Sequence, residues 1–255
     1  MPAAVRTRTR TRVLTPAGER TQAAAFGQRP GFCQLFWLFL ITSFLGCLVE
    51  TLFMLLTRGE LQNRSGVLYG SFSLVWGLGA VLFTICLRRM QGRPGPLIFL
   101  AGAVAGAGYE YACSWVQEVL FGACFWDYSH LPLSLNGRVN LVFSAFWGIA
   151  AVVWVRWLYP ALLRLISKIP ADMGRPLTAL VAVIMVFNVL TTSAALMRMD
   201  ARQREIPAAN AVEVFLDRHF TDRRLLATFS TLTYVGTPDA RSAAGLGQAV
   251  DIPGR

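Results

Sequence analysis

Three carboxylates stand out because of where they fall. Glu50, Glu110 and Glu118 lie inside long apolar runs, with Glu110 the deepest. An ionisable side chain in hydrocarbon costs roughly 2.5–3.5 kcal/mol on insertion scales, so such residues pair with something or serve a function. The connecting stretches supply polar partners: Asn63 and Arg64 after the first run, then Asp127, Asn136 and Arg138 before the fourth. A guanidinium binds a carboxylate bidentately, so Arg suits such a cluster. The expectation is one ion-paired, hydrogen-bonded group formed by Glu50, Glu118, Arg64, Arg138 and Asp127. It either ties loops to helices or lines a polar cavity for a substrate or ion.

Glu110 and Glu118 are eight residues apart, about two helical turns, and so line one broad face. An intramembrane enzyme would need an acid/base pair, for which Glu110 with Tyr109 or Tyr111 is the best on offer. Soluble-enzyme signatures are missing. Lys168, the single lysine, follows no Gly-rich loop, and neither H-E-x-x-H nor G-x-S-x-G occurs. His130 and His219 fall outside the apolar runs. Cys33, Cys47, Cys86, Cys113 and Cys124 show no metal-ligand spacing and read as small hydrophobes. No catalytic residue, metal or cofactor is expected of this chain, and no ATPase.

The elements that position these groups follow from composition. Of 255 residues, 55% are hydrophobic and 15% charged, where soluble domains carry about 25% charged. A helix needs roughly 20 apolar residues to cross a bilayer. Residues 32–56, 67–87, 97–121, 139–155 and 177–197 read as such helices. The fold class expected is all-α: a polytopic membrane bundle of about five helices, spanning 32–197. Gly102-x-x-x-Gly106 and the glycines of the second run favour close helix packing.

Residues 1–31, with Arg6, Arg8, Arg10 and Arg12 alternating with Thr, read as a disordered basic tail drawn to anionic lipid. Thirteen Lys and Arg lie on that tail and the second and fourth connections, against three on the first and third. This bias places the N-terminus in the cytoplasm. The net charge of +10 therefore reads as membrane topology, and nucleic acid is not an expected partner. In residues 198–255, Val212, Phe215, Leu216, His219 and Phe220 recur at helical spacing. They predict short amphipathic helices, with disorder after about 238. Arg198, Arg202 and Arg204 strain the charge rule by following the fifth helix at once.

Several separated motifs carry a resemblance. Phe125-Trp126-Asp127-Tyr128-Ser129 precedes Leu135-Asn136-Gly137-Arg138-Val139, then Ser144 and Trp147-Gly148. Upstream stand Gly46-Cys47-Leu48-Val49-Glu50, Asn63-Arg64, Tyr69-Gly70, Trp76-Gly77-Leu78-Gly79, Glu110-Tyr111 and Glu118-Val119-Leu120-Phe121-Gly122. Together these resemble the CmpB-type, or type IV, ABC-transporter permease family of bacterial membrane proteins. Cys47 stands where that family has Trp, and Trp76 where it has Tyr. The resemblance covers about residues 32–160 well and the rest loosely, and its polar motif residues coincide with the cluster above. It implies a multi-pass permease subunit of the cytoplasmic membrane that works with a separate ATP-binding subunit. The connection after the fourth helix, of about 20 residues with Arg164, Lys168 and Arg175, is the larger coupling surface on this reading. A homo-oligomer is expected because five helices are few for a solute pathway. The alternative is a membrane scaffold or sensor that uses the cluster structurally.

Overall fold

The computed structural model describes residues 31–230 and 232–234. The basic N-terminal tail and the segment after 238 lie outside them.

The bundle is built on four helical stretches long and apolar enough to cross a membrane: Phe32–Thr57, Gly95–Phe121, Leu141–Ile166 and Asp172–Gln203. The first lies in α1 (Phe32–Arg58), which stops where Gly59 turns left-handed at φ 72° and donates its N–H to the Leu55 carbonyl at 3.0 Å. The second is α3 (Gly95–Phe121), opened by prolines and closed by left-handed Gly122. The third joins α4 (Leu141–Val153) to α5 (Tyr159–Ile166) through a π turn, Trp154–Leu158. Pro160 explains the turn: its missing N–H breaks the regular ladder, and one widened turn absorbs the break. The fourth is α6 (Ala171–Gln203).

Two expectations are corrected here. The run 67–87 is not one spanning helix. Only α2 (Leu74–Leu87) is helical, and its 14 residues reach about 21 Å, short of a core about 30 Å thick. Gly66, Gly70 (φ 86°), Ser71 and Ser73 break the helix ahead of it. The second correction concerns the fourth connection, which is mostly helix and leaves only residues 167–170 between α5 and α6.

Non-helical backbone at membrane depth needs partners within the protein, and the stretch before α2 has them. Asn188, near the middle of α6, accepts from the Tyr69 N–H at 3.2 Å and donates to the Tyr69 carbonyl at 2.7 Å. Thr192 Oγ1 accepts from the Leu68 N–H at 3.0 Å. Ser73 donates its N–H to the carbonyl of Ser43, near the middle of α1, at 2.9 Å. Ser65 Oγ, itself buried, donates toward the Val67 and Gly70 carbonyls.

Small residues set the helix spacing, as expected for Gly102 and Gly106. Gly102 faces Ala151, and Gly106 faces the Trp147 ring; on α4, Gly148 abuts Phe99. Between α1 and α2, Gly46 receives Trp76 and Gly77 receives Ser43 and Phe39. Trp37 Nε1 donates to Thr178 Oγ1 at 2.8 Å, tying the start of α1 to the start of α6. That end carries the basic turns and is called the basic end below.

At the opposite end the chain beyond α6 folds back as the expected short helices, α7 (Ala211–His219) and α8 (Asp222–Thr228). Leu216, Phe220, Leu225 and Phe229 pack on Ala195, Leu196 and Met199 of α6. Val212 and Phe215 remain exposed. Arg198 and Arg202 are not free loop charges: they belong to α6 and pair with Asp217 at 2.7 and 2.5 Å. A short strand, β4 (Thr233–Tyr234), pairs antiparallel with β1 (Ala123–Cys124). A second pair, β2 (Ser134–Leu135) with β3 (Val139–Asn140), forms a hairpin just before α4.

Candidate functional site

The polar groups at the end opposite the basic turns form three sets rather than one. Glu110 sits near the middle of α3 and is buried, 6% exposed. Its Oε1 accepts from the Tyr128 hydroxyl at 2.9 Å and its Oε2 from Trp147 Nε1 at 3.3 Å. Among the described residues no Arg, Lys or His forms an ion pair with it. Trp147 is held in turn by the glycine faces of α2 and α3 and by edge-on contacts with Phe83 and Tyr109.

Glu50 on α1 accepts from Trp76 Nε1 at 2.6 Å through Oε1 and from Arg64 Nε at 3.4 Å through Oε2. The Arg64 pair is half-buried. Glu118, two turns beyond Glu110 on α3, binds Arg138 Nη2. Arg138 also reaches Ser114 Oγ at 3.4 Å and lies over the Tyr111 ring at 5.6 Å. Asn136, left-handed at φ 54°, donates to the Tyr111 hydroxyl at 3.1 Å.

Tyr128 links two of these sets. Its ring stacks on Phe143 with centroids 4.5 Å apart. Burial pushes its phenol well above the usual range; Glu110 and Glu50 add to that, and Arg64 pulls the other way. The hydroxyl therefore stays protonated and remains a donor to Glu110. Trp126 Nε1 fixes the same loop by donating to the Arg138 carbonyl at 3.1 Å.

Asp127 does not join an ion pair. Its carboxylate accepts from the Ser129 N–H and hydroxyl, each at 2.8 Å, and packs against left-handed Gly137. Such an Asx turn shapes the loop that aims Tyr128. Asn63 acts likewise, accepting from the Ser65 N–H at 3.0 Å. Of the remaining motif residues, Tyr69 and Gly70 belong to the irregular stretch. Gly46, Gly77 and Gly79 are packing surfaces on α1 and α2, and Ser144 Oγ bonds back to the Asn140 carbonyl at 2.9 Å.

Trp76, Ser114, Asn188 and Thr192 are site or support residues that the sequence reading did not select. Asn188 and Thr192 do carry a signal: two polar residues spaced i, i+4 in an otherwise apolar helix. Trp76 carries none, since an indole in an apolar run reads as packing.

Chemically, the arrangement offers one buried carboxylate with two neutral donors and no counter-charge, flanked by two carboxylates that are neutralised by arginine. Such a group can hold a proton or receive a cation.

Residues 37–193 match the model of a protein family described as "Putative ABC-transporter type IV". The matched interval contains all three carboxylates, Arg64, Arg138, Tyr128 and Asn188, and ends before Arg198. No curated protein and no solved structure matches the chain.

Proposed function

Because this chain belongs to the putative ABC-transporter type IV family, we propose that it is the membrane-embedded permease subunit of an ABC-type transporter, working with a separate ATP-binding subunit. Glu110 carries the reading within the fold. A carboxylate near the middle of a spanning helix, held by Tyr128 and Trp147 and lacking a cation, is what a polar pathway needs at its narrowest point. The Glu50–Arg64 and Glu118–Arg138 pairs flank that pathway at one end.

The setting is the cytoplasmic membrane of a bacterial cell, with the N-terminus and the basic end in the cytoplasm. Support comes from the arginine-rich turns at that end and from the pairing of Arg198 and Arg202 at the other, which lessens their conflict with the charge rule. Four full-length spans are few for a pathway inside one chain, so assembly as a homo-oligomer belongs to the proposal. Transport driven by ATP requires a partner, because the chain carries no phosphate-binding loop. The rival reading is a scaffold or sensor. It is favoured by the two Arg–Glu pairs, each of which joins a connecting stretch to a helix.

The deciding experiment is isolation of the full chain from its native membrane in mild detergent, with mass spectrometry of what comes with it. A stoichiometric subunit bearing a phosphate-binding loop, with ATPase activity that falls in Glu110→Gln, supports the permease. Repeated isolation with no such subunit sinks it and leaves the scaffold.

A further inference from the structure

The basic end holds a groove of about 490 Å³, lined by Gln91 and Gly92 of the α2–α3 connection and by Val155, Arg156, Leu163 and Arg164 of the π turn and α5. That volume falls within the range of small-ligand sites, roughly 300–1,000 Å³. One wall is cationic. Arg156 Nη2 donates to the Arg93 carbonyl at 2.6 Å, which fixes the guanidinium across the groove, and Arg164 Nε bonds back to Pro160 of its own helix. Among the described residues neither arginine pairs with a carboxylate, and no Asp or Glu lines the groove. The bordering connection adds Arg88, Arg89 and Arg93. The other wall, Val155 and Leu163, is apolar, and Trp157 beside it is 64% exposed. Exposed Trp at a helix end marks the membrane–water boundary.

Uncompensated guanidinium groups select a phosphate, which they bind in bidentate fashion. An apolar wall at the boundary selects a phosphate that carries an acyl chain. We propose that this groove is a binding site for the phosphate of an anionic phospholipid, with Arg156 and Arg164 as its ligands. The π turn is what builds it: the widened turn at Trp154–Leu158 and Pro160 set Arg156 against the α2–α3 connection. The site does not depend on transport.

Native mass spectrometry of the full chain in mild detergent tests it, with phosphatidylglycerol and phosphatidylcholine as probes at equal concentration. Phosphatidylglycerol should be retained in preference. Arg156→Gln/Arg164→Gln should weaken it about tenfold or more, the effect of losing one charge-assisted contact of about 1.5 kcal/mol. Arg175→Gln, the same charge change on α6 outside the groove, should leave it unchanged. Arg164→Gln alone gives the same reading should loss of the Arg156–Arg93 bond prevent folding. Millimolar inorganic phosphate separates the sources. Displacement of the lipid shows that the groove reads phosphate from either source, and resistance shows that the acyl chain is part of the ligand; both uphold the site. Equal retention of the two lipids, or equal loss in Arg175→Gln, overturns it in favour of diffuse surface charge.

Discussion

Tyr128 reaches down from the loop ahead of α4 to donate its hydroxyl to Oε1 of Glu110 at 2.9 Å. The contact joins a residue of the membrane–water boundary to a carboxylate near the middle of a spanning helix. Replacing Tyr128 by Phe keeps the ring on Phe143 and removes one of the two donors. A buried acceptor that loses a partner costs about 1–3 kcal/mol. The melting temperature in detergent should therefore fall by several degrees, at about 2–4 °C per kcal/mol for a chain of this size. Glu110→Leu/Tyr128→Phe should recover much of that loss, because no carboxyl is left stranded. A double variant worse than Tyr128→Phe would show that Glu110 is held by something else.

Asn188 is the second such dependence. It serves both the N–H and the carbonyl of Tyr69, in a stretch with no helix to satisfy either. Asn188→Leu keeps the volume and strands both groups, for a loss of roughly 2–4 kcal/mol. Thr192→Val strands only the Leu68 N–H and should cost about half as much. Thermal melts of the two variants check the order; equal effects would mean that water already reaches this backbone.

These residues also show why parts of the fold were legible in the sequence and parts were not. Glu110 announced itself, because a charge in an apolar run has few explanations. Arg138 and Glu118 were paired correctly from residue type and the expected end of the bundle. Asp127 was grouped with them wrongly, since charge alone does not separate an ion pair from an Asx turn closed by Ser129. The run 67–87 read as a helix because counting apolar residues ignores Gly66 and Gly70. Its irregular backbone is stable only through Asn188 and Thr192, some 119 and 124 residues along the chain. Pro160 looked like a helix end, yet one π turn carries the helix past it.

Asp217 gives a pH dependence. The hydrogen bonds from Arg198 hold its carboxyl below the usual range, with Arg202 adding to the effect. A lowered folded value means that the unfolded chain binds the proton first. The stability that Asp217 contributes is thus fully present above the unfolded value of about 3.9 and is lost as pH falls through the lower folded value. Limited proteolysis of the α6–α7 junction should show protection that is flat from neutral pH to about 5 and declines below about 4. Asp217→Asn should lower protection at neutral pH and flatten the decline. An acid profile unchanged in Asp217→Asn would assign the effect to other carboxylates.

Two glycines one helical step apart on α3 should respond in opposite directions. A methyl group on Gly106 would land on Cβ and Cγ of Trp147, while one on Gly108 meets nothing within 4 Å. Gly108→Ala should therefore gain about 0.5–1 kcal/mol from helix propensity. Gly106→Ala must move the indole that donates to Glu110 and packs edge-on against Phe83 and Tyr109. Overpacking of this kind costs about 1–3 kcal/mol. A displaced Trp147 also leaves Glu110 with Tyr128 as its one remaining donor, so Gly106→Ala and Tyr128→Phe should be worse together than the sum of each alone. Thermal melts of the two single variants and the combination read both the sign and the coupling. Simple additivity would show that Trp147 yields to the methyl without giving up its bond, and that the close approach of α3 to α4 serves packing rather than the carboxylate.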